Sequence, residues 1–310
     1  MSSASARPEL RVQPSQLGLG VTLGLAASLA FATSGPFVRP LLDAGWTPGA
    51  AVFWRVSAAA LVMLPLALWL MRGRLGDLVR EWRAIGAFGA LAVATPQLMF
   101  FAAVDRMSVS IALLIEYMAP VLLVAVAWAR TRRAPSRLVL SGTAASVLGL
   151  LCVLDLAGAS PDALGVLFAF GAMFGAAAYF VLSARPTTLH PIALAGFGLV
   201  AGAGVLGLAI LVGLLPYSSP LVDVSLMGAA VPWWVPLGVV VLAATAIAYG
   251  LGVAGITLMG ERLASFVSLS EVLFAALLAA VILGEVPSPI QLLGLGTSPR
   301  ITAASKADRK

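Results

Sequence analysis

Long, uninterrupted stretches of apolar residues are the feature that most restricts how this chain can fold. A helix of about 20 residues crosses the hydrocarbon core of a bilayer. Nine segments are suitable: residues 17–38, 50–71, 84–104, 109–129, 138–156, 164–184, 192–215, 235–256 and 264–284. They lack the alternation of apolar and polar residues that marks membrane β-barrel strands. Only 10% of the chain is charged, against about 25% in soluble domains. The chain is therefore predicted to be an all-α integral membrane protein.

The distribution of arginines predicts the orientation of these spans. If the N-terminus is cytoplasmic, the inner loops contain Arg72, Arg74, Arg80, Arg83, Arg130, Arg132, Arg133, Arg137, Arg185 and Arg262. The outer loops then contain only Arg39 and Arg106. Because cytoplasmic loops carry an excess of Lys and Arg, the N-terminus is predicted to be inside. The net charge of +6 does not indicate a nucleic-acid partner, since the arginines do not form one soluble basic face.

The first span and both ends of the chain complete the predicted organisation. Residues 1–14 are predicted to form a polar cytoplasmic tail and residues 297–310 a polar C-terminal tail. A signal peptide is an alternative for the first span, because Arg7 and Arg11 precede it and Ala30-Phe31-Ala32 resembles a cleavage site. Its length and its place in an internal repeat favour a membrane span.

That repeat consists of residue pairs with the same spacing in both halves of the chain. The pairs are Gly18/Gly24 with Gly165/Gly171, and Ser110/Glu116 with Ser265/Glu271. They relate the first and fourth spans to the sixth and ninth, so the halves, residues 15–156 and 160–296, are predicted to be inverted in the membrane. Inverted repeats are typical of secondary transporters, whose substrate site lies between the halves near the midplane.

Two acidic residues, Glu116 and Glu271, are predicted near the middle of membrane spans. An acidic residue there costs about 2.5–3.5 kcal/mol on insertion scales, which indicates a function or a structural pairing. Because burial favours the protonated carboxyl group, either residue could bind and release a proton. The alternative is a protonated glutamate that is hydrogen-bonded between helices. In an inverted repeat, Glu116 is expected slightly toward the outside and Glu271 slightly toward the inside.

Arg55 lies inside the second span and is a candidate binding residue. Its guanidinium group could bind an anionic carboxylate or pair with a glutamate. Alternatively, its long side chain could extend to the outer headgroups. The neighbouring Trp54 is included as a candidate, because the other tryptophans lie near predicted span ends, where an aromatic belt is expected.

Three further candidates for the same site are Gln97, Tyr117 and Tyr249. Gln97 follows Pro96 at the middle of the third span, and a proline frees a helix carbonyl that can line a polar cavity. Tyr117 and Tyr249, together with Tyr179, lie within spans and could line this cavity. Packing in the core is the alternative for each of them.

Metal and cofactor sites are not expected. Cys152 and His190 are the only residues of their types, which argues against a zinc site or a Cys–His catalytic pair. The segments 202–207 and 250–255 fit G-x-G-x-x-G, but they lie in spans and do not follow a strand. Close helix packing is predicted there, as in the G-x-x-x-G pairs Gly20/Gly24 and Gly171/Gly175.

Several motifs together indicate a family. They are Ser108-Val109-Ser110 through Glu116-Tyr117 to Pro120-Val121, Ala264-Ser265 through Glu271, Leu283-Gly284-Glu285 with Gln291 and Gly294, and Phe53-Trp54-Arg55. Over about residues 17–296, the chain resembles EamA-type members of the drug/metabolite transporter superfamily, and more distantly threonine/homoserine exporters. The resemblance implies a transporter that moves a small metabolite, such as an amino acid or a drug, by alternating access. From the inverted halves and the midplane glutamates we expect export, driven by protons through Glu116 or Glu271, across the plasma membrane of a bacterium.

The chain departs from this family in two places. Val272 stands where many relatives have proline, and after Gly294 a polar sequence replaces the family's tenth span. The predicted fold is therefore an inverted five-plus-five bundle without its tenth span. Nine spans would place the basic C-terminal tail outside, against the charge rule. Either the earlier loops dominate the topology, or the ninth span inserts poorly.

Two other functions stay open at this point: a membrane-embedded lipid-modifying enzyme, and a truncated relic that does not transport. A transporter is preferred, so no enzymatic activity is expected. The expected partners are a small-molecule substrate and the lipid bilayer, and a homodimer is left open.

Overall fold

The computed structural model describes residues 14–132, residue 144 and residues 162–283. Three predictions therefore lie outside the described residues. They are the fifth span at 138–156 apart from residue 144, nearly all of the N-terminal tail, and everything from residue 284 onward.

Apolar helices make up most of the described chain. Eight helical stretches within it are long and apolar enough to cross a membrane: Gln16–Asp43, Pro48–Leu70, Trp82–Val104, Ile111–Thr131, Ala163–Ser183, Pro191–Leu211, Trp234–Met259 and Glu261–Ile282. Each overlaps one of the predicted spans. The side chains on their outer faces are apolar and exposed, as expected for residues that face lipid chains.

These stretches are divided into shorter elements. The first half contains α1 (Pro14–Ala32), α2 (Ser34–Asp43), α3 (Pro48–Leu70), α4 (Leu75–Arg80), α5 (Trp82–Ala87), the π-helical segment π1 (Phe88–Ala94), α6 (Thr95–Val104), α7 (Val109–Glu116) and α8 (Ala119–Thr131). The second half contains α9 (Ala163–Ser183), α10 (Pro191–Leu211), β1 (Val224–Leu226), β2 (Ala229–Val231), α11 (Trp234–Val241), π2 (Leu242–Ile247), α12 (Ala248–Met259), α13 (Glu261–Val267) and α14 (Ser270–Ile282).

The long connection before α11 differs from the all-helical prediction, because it contains a small antiparallel hairpin. In this hairpin β1 pairs with β2, with Val224 opposite Val231. The turn residues Met227 and Gly228 both have positive φ angles, 53° and 80°. Two successive positive φ angles are characteristic of the tight turns that match the twist of a two-stranded hairpin.

Helices of the two halves pack against each other. The most extensive contacts join α3 to α10, α1 to α12, and α6 to α9. Small residues allow this approach, as predicted from the glycine spacings: a Cβ atom at Gly255 would lie 3.2 Å from both the oxygen of Gly20 and the nitrogen of Gly24. A Cβ atom at Gly175 would lie 2.7 Å from Pro96. Such contacts stabilise helix pairs in lipid, where the hydrophobic effect does not.

Candidate functional site

A cavity between the helices of the two halves is lined by six of the seven predicted site residues: Arg55, Gln97, Glu116, Tyr117, Tyr249 and Glu271. The first four belong to the first half and the last two to the second half. The cavity has a volume of about 100 Å³. One water molecule requires about 10–15 Å³ by this measure, so the space suits several waters or a small solute.

Arg55 is held in this cavity by neutral groups. Its side chain is only 2% exposed. Nε donates to Thr245 Oγ1 (2.9 Å), Nη1 to Ser34 Oγ (2.7 Å), and Nη2 to the Ala244 carbonyl oxygen (2.9 Å). The ring of Phe101 lies 4.9 Å from Cζ. The side chain therefore points into the bundle and does not extend to the headgroups.

The positive charge of Arg55 has no carboxylate in direct contact within the described part of the chain, where the ion pairs involve Arg39, Arg74 and Arg106. Glu116 and Glu271 interact with this charge from a longer distance. A guanidinium group has five N–H donors, of which the neutral cage uses three. An anionic group of a solute could therefore bind the remaining donors.

Tyr117 and Glu271 form a direct link between the halves. The Tyr117 hydroxyl donates a hydrogen bond to Glu271 Oε2. Tyr117 lies in the break between α7 and α8, directly after Glu116, while Glu271 lies in the first turn of α14. Both carboxyl groups therefore line the cavity beside interruptions of their helices, as in transporters whose sites are built from discontinuous helices.

Gln97 and Tyr249 form a second link between the halves. Gln97 Nε2 donates to the Tyr249 hydroxyl (2.9 Å), which in turn donates to the Ala92 carbonyl oxygen (3.0 Å). In a regular helix, the N–H group of residue 96 would bond to this carbonyl. Because residue 96 is a proline, it has no N–H group to donate to this carbonyl, and the Tyr249 hydroxyl donates to it.

Two π-helical segments shape this part of the site, and the sequence analysis did not predict them. Directly after π1, the hydroxyl of Thr95 donates to the Ala90 carbonyl (2.9 Å), and in π2 the hydroxyl of Thr245 donates to the Val240 carbonyl (2.7 Å). Each bond spans five residues, which is the spacing of a π-helix. In π2 the wider turn also directs the Ala244 carbonyl to Arg55. Single π-helical turns are frequent at functional sites.

Three aromatic rings form one wall of the cavity. The ring centroids of Phe31 and Tyr249 lie 5.2 Å apart, those of Tyr179 and Tyr249 5.4 Å apart, and those of Phe31 and Tyr179 6.3 Å apart. All three pairs meet edge to face, an arrangement that stabilises aromatic contacts. Phe31 was not predicted as a site residue, because an apolar residue in a membrane span gives no signal of its own.

Trp54 is the predicted site residue that the structure places elsewhere. It is absent from the described residues that line the cavity. Its side chain is 37% exposed, Nε1 donates to the Tyr217 hydroxyl (2.9 Å), and its ring lies 6.5 Å from that of Trp233. Successive residues of an α-helix point about 100° apart. Because Arg55 points inward, its neighbour Trp54 points away from the cavity.

Ser34 and Thr245 are site residues that the sequence analysis missed. Both are buried and bond to Arg55. The available signal was weak, since single hydroxyl residues are common in membrane helices and usually bond to their own backbone. Only the packing of α2 and π2 against α3 shows that these two face an arginine.

Comparisons with known proteins agree with this architecture. The chain matches the EamA-like transporter family over residues 18–155 and 163–298. Among solved structures, 19 chains match. One, described only as "Crystal structure of protein", is 21% identical with a TM-score of 0.66, and the match covers 94% of this chain and 98% of that chain. At this identity the likeness establishes the fold. No curated protein matches the chain.

Proposed function

The chain belongs to the EamA-like transporter family, and from this premise we propose that it is a secondary transporter that exports a small amino-acid-like solute by alternating access. The observation that carries the proposal is the cavity between the two halves, which contains Arg55, Glu116 and Glu271. A site between two repeats can open to either side as one repeat moves against the other. The proposal places the protein in the plasma membrane of a bacterium, with a cytoplasmic N-terminus.

The charges of the cavity suit a solute with both an anionic and a cationic group. Arg55 has N–H donors beyond those that its neutral cage uses, and a guanidinium fork binds a carboxylate in two places. Glu116 and Glu271 line the same cavity and can bind an ammonium group. The site therefore matches the two ends of an amino acid.

The same carboxylates provide proton coupling. A proton and a substrate ammonium group compete for one carboxylate, because each neutralises the same negative charge. A conformation loaded with protons therefore releases solute, and one loaded with solute releases protons. Because the proton and the solute weaken each other's binding, a gradient of protons can drive movement of the solute in the opposite direction. The bond between Tyr117 and Glu271 connects the protonation state of a carboxyl group to the contact between the halves.

Flux through proteoliposomes tests this function. Vesicles loaded with a labelled amino-acid mixture are placed in a buffer of different pH, and the lost label is identified and counted. We expect a pH gradient to drive the exchange, and Glu116→Gln or Glu271→Gln to abolish its pH dependence, since glutamine keeps the shape of glutamate without its titration. If both single variants transport like the unchanged protein from mildly acidic to mildly alkaline pH, the proton coupling is wrong. Absence of flux for every amino acid would contradict the substrate class.

A further inference from the structure

Two polar atoms in the cavity are buried without a hydrogen-bond partner. Among the described residues, Gln97 Oε1 and the Tyr179 hydroxyl are both unpaired. Their side chains are only 7% and 9% exposed, and both residues line the cavity. Buried polar atoms nearly always have a partner, because an unpaired one loses its bonds to water without replacement. Neither atom has a role in the charge recognition described above.

The orientation of the Gln97 amide is fixed by its neighbours. Its Nε2 donates to the Tyr249 hydroxyl, whose own proton is used in the bond to the Ala92 carbonyl. If the amide were rotated by half a turn, its oxygen would need that same proton, and the Ala92 carbonyl would lose its partner. The network therefore keeps Nε2 toward Tyr249 and leaves Oε1 as a free acceptor.

The Tyr179 hydroxyl is given space by a glycine. A Cβ atom at Gly252 would overlap this hydroxyl, whereas at Gly250, on the same helix, the nearest atom would be Met63 Cε at 3.6 Å. The Tyr179 ring is held by Phe31 and Tyr249. The hydroxyl is therefore placed by packing while its hydrogen-bonding capacity is unused.

These groups lie a short distance from the arginine cage. Thr245, which bonds to Arg55, and Tyr249, which bonds to Gln97, are four residues apart on one continuous helix. Four residues of an α-helix rise about 6 Å along its axis, which sets the scale of this separation. A solute whose charged end binds at Arg55 could therefore extend a side chain to Gln97.

We propose that Gln97 Oε1 and the Tyr179 hydroxyl form a subsite that binds an uncharged O–H or N–H donor on the side chain of the transported solute. This inference rests on the proposed export of an amino-acid-like solute and specifies which members of that class are preferred. Amino acids with a hydroxyl, amide or indole N–H group are bound more tightly than analogues of the same shape without it. Sites that hydrogen-bond such a group discriminate strongly against analogues that lack it, because their own polar groups then stay unpaired.

Pairs of amino acids that differ by one donor test the subsite. Suitable pairs are threonine with 2-aminobutyrate, tyrosine with phenylalanine, and tryptophan with 3-benzothienylalanine, in which a ring sulfur replaces the indole N–H group. In competition against a labelled amino acid in proteoliposomes, the donor-bearing member of at least one pair should bind roughly tenfold more tightly, as expected for one neutral hydrogen bond. Equal binding of both members in all three pairs would overturn the subsite, while their transport would leave the proposed function intact. If neither these six nor any other amino acid is transported, the proposed function itself fails.

The Tyr179→Phe variant tests whether the Tyr179 hydroxyl causes the preference for donor-bearing amino acids. The variant keeps the aromatic ring and removes a group with no partner, so its melting temperature should not fall. Its preference for the donor-bearing amino acid over the analogue without the donor should decrease about tenfold. Ser183→Ala is the matched control: Ser183 Oγ is also buried and unpaired, and it lies one turn further along α9 but not among the residues that line the cavity. An unchanged preference in Tyr179→Phe, or equal losses for both members of the pair, would overturn the inference.

A glycine pair provides an independent check. Gly252→Ala should displace the Tyr179 hydroxyl and reduce the preference, whereas Gly250→Ala should not. If both alanine variants keep the full preference of the unchanged protein, the hydroxyl is not part of the subsite.

Discussion

Replacement of Arg55 by lysine keeps the positive charge in the cavity but exchanges the planar guanidinium group for a single ammonium nitrogen. Three different nitrogens of the guanidinium bond to Thr245, Ser34 and the Ala244 carbonyl. A lysine ammonium is a single nitrogen and cannot occupy three positions. At least one of these bonds is therefore lost, and bonds to charged groups contribute about 1.5–3 kcal/mol each.

Uptake of a labelled amino acid into proteoliposomes measures the consequence. The proposed substrate carboxylate, which the guanidinium fork binds in two places, also loses one charge-assisted bond when the fork becomes a single ammonium nitrogen. Since a loss of about 1.4 kcal/mol is a tenfold change in an equilibrium constant, the uptake rate at low substrate concentration should fall at least about tenfold. Arg72→Lys is the control, because Arg72 is exposed and stacks over Trp69 at 4.9 Å. Its uptake should change by less than about twofold, as for most surface substitutions. Wild-type uptake by Arg55→Lys would refute the argument that the guanidinium geometry is used.

Three other predictions follow from contacts outside the arginine cage. Tyr117→Phe removes the hydrogen bond between the halves, so the pH dependence of flux should weaken while the melting temperature falls slightly. Gly255→Ala should lower the melting temperature in detergent by several degrees, whereas Gly204→Ala, with no atom within 4 Å of the added Cβ, should not. The hydrogen bond from Arg106 holds the pKa of the Asp162 carboxyl below its usual value. The resulting stabilisation is present above that usual value and is lost as the pH falls through the lowered pKa. The melting temperature should therefore fall slightly in acidic buffer, and high salt should lower it by a similar amount because it screens the ion pair. Arg106→Gln, which lacks the pair, is the control and should show neither change.

The spans and the residues at their centres could be predicted from sequence because the bilayer imposes simple requirements. Length and apolar composition identified the helices, and the cost of burying charge identified Glu116, Glu271 and Arg55 as unusual. The family match over both halves confirms the helical membrane fold and its two repeats. The inverted orientation of the halves and the number of spans stay predictions.

The direction of each side chain could not be predicted from sequence. Trp54 and Arg55 are neighbours in the chain, but only one of them faces the cavity. Ser34 and Thr245 reach Arg55 only because three helical segments that are distant in sequence pack together. The π-helical segments depend on the same packing. Local propensity does not encode them, because the same residues form an α-helix equally well.

Access to the cavity from each side of the membrane is the most direct measurement of the central claim. Ser28 lines the cavity and is 2% exposed, so Ser28→Cys, in a variant without Cys152, places one thiol at the site. A membrane-impermeant thiol reagent is applied to oriented vesicles from one side or the other, with and without an amino-acid mixture. Alternating access predicts that the thiol reacts from both sides and that the mixture changes the two rates. Reaction from one side only, in every condition, would contradict a transport site between the halves.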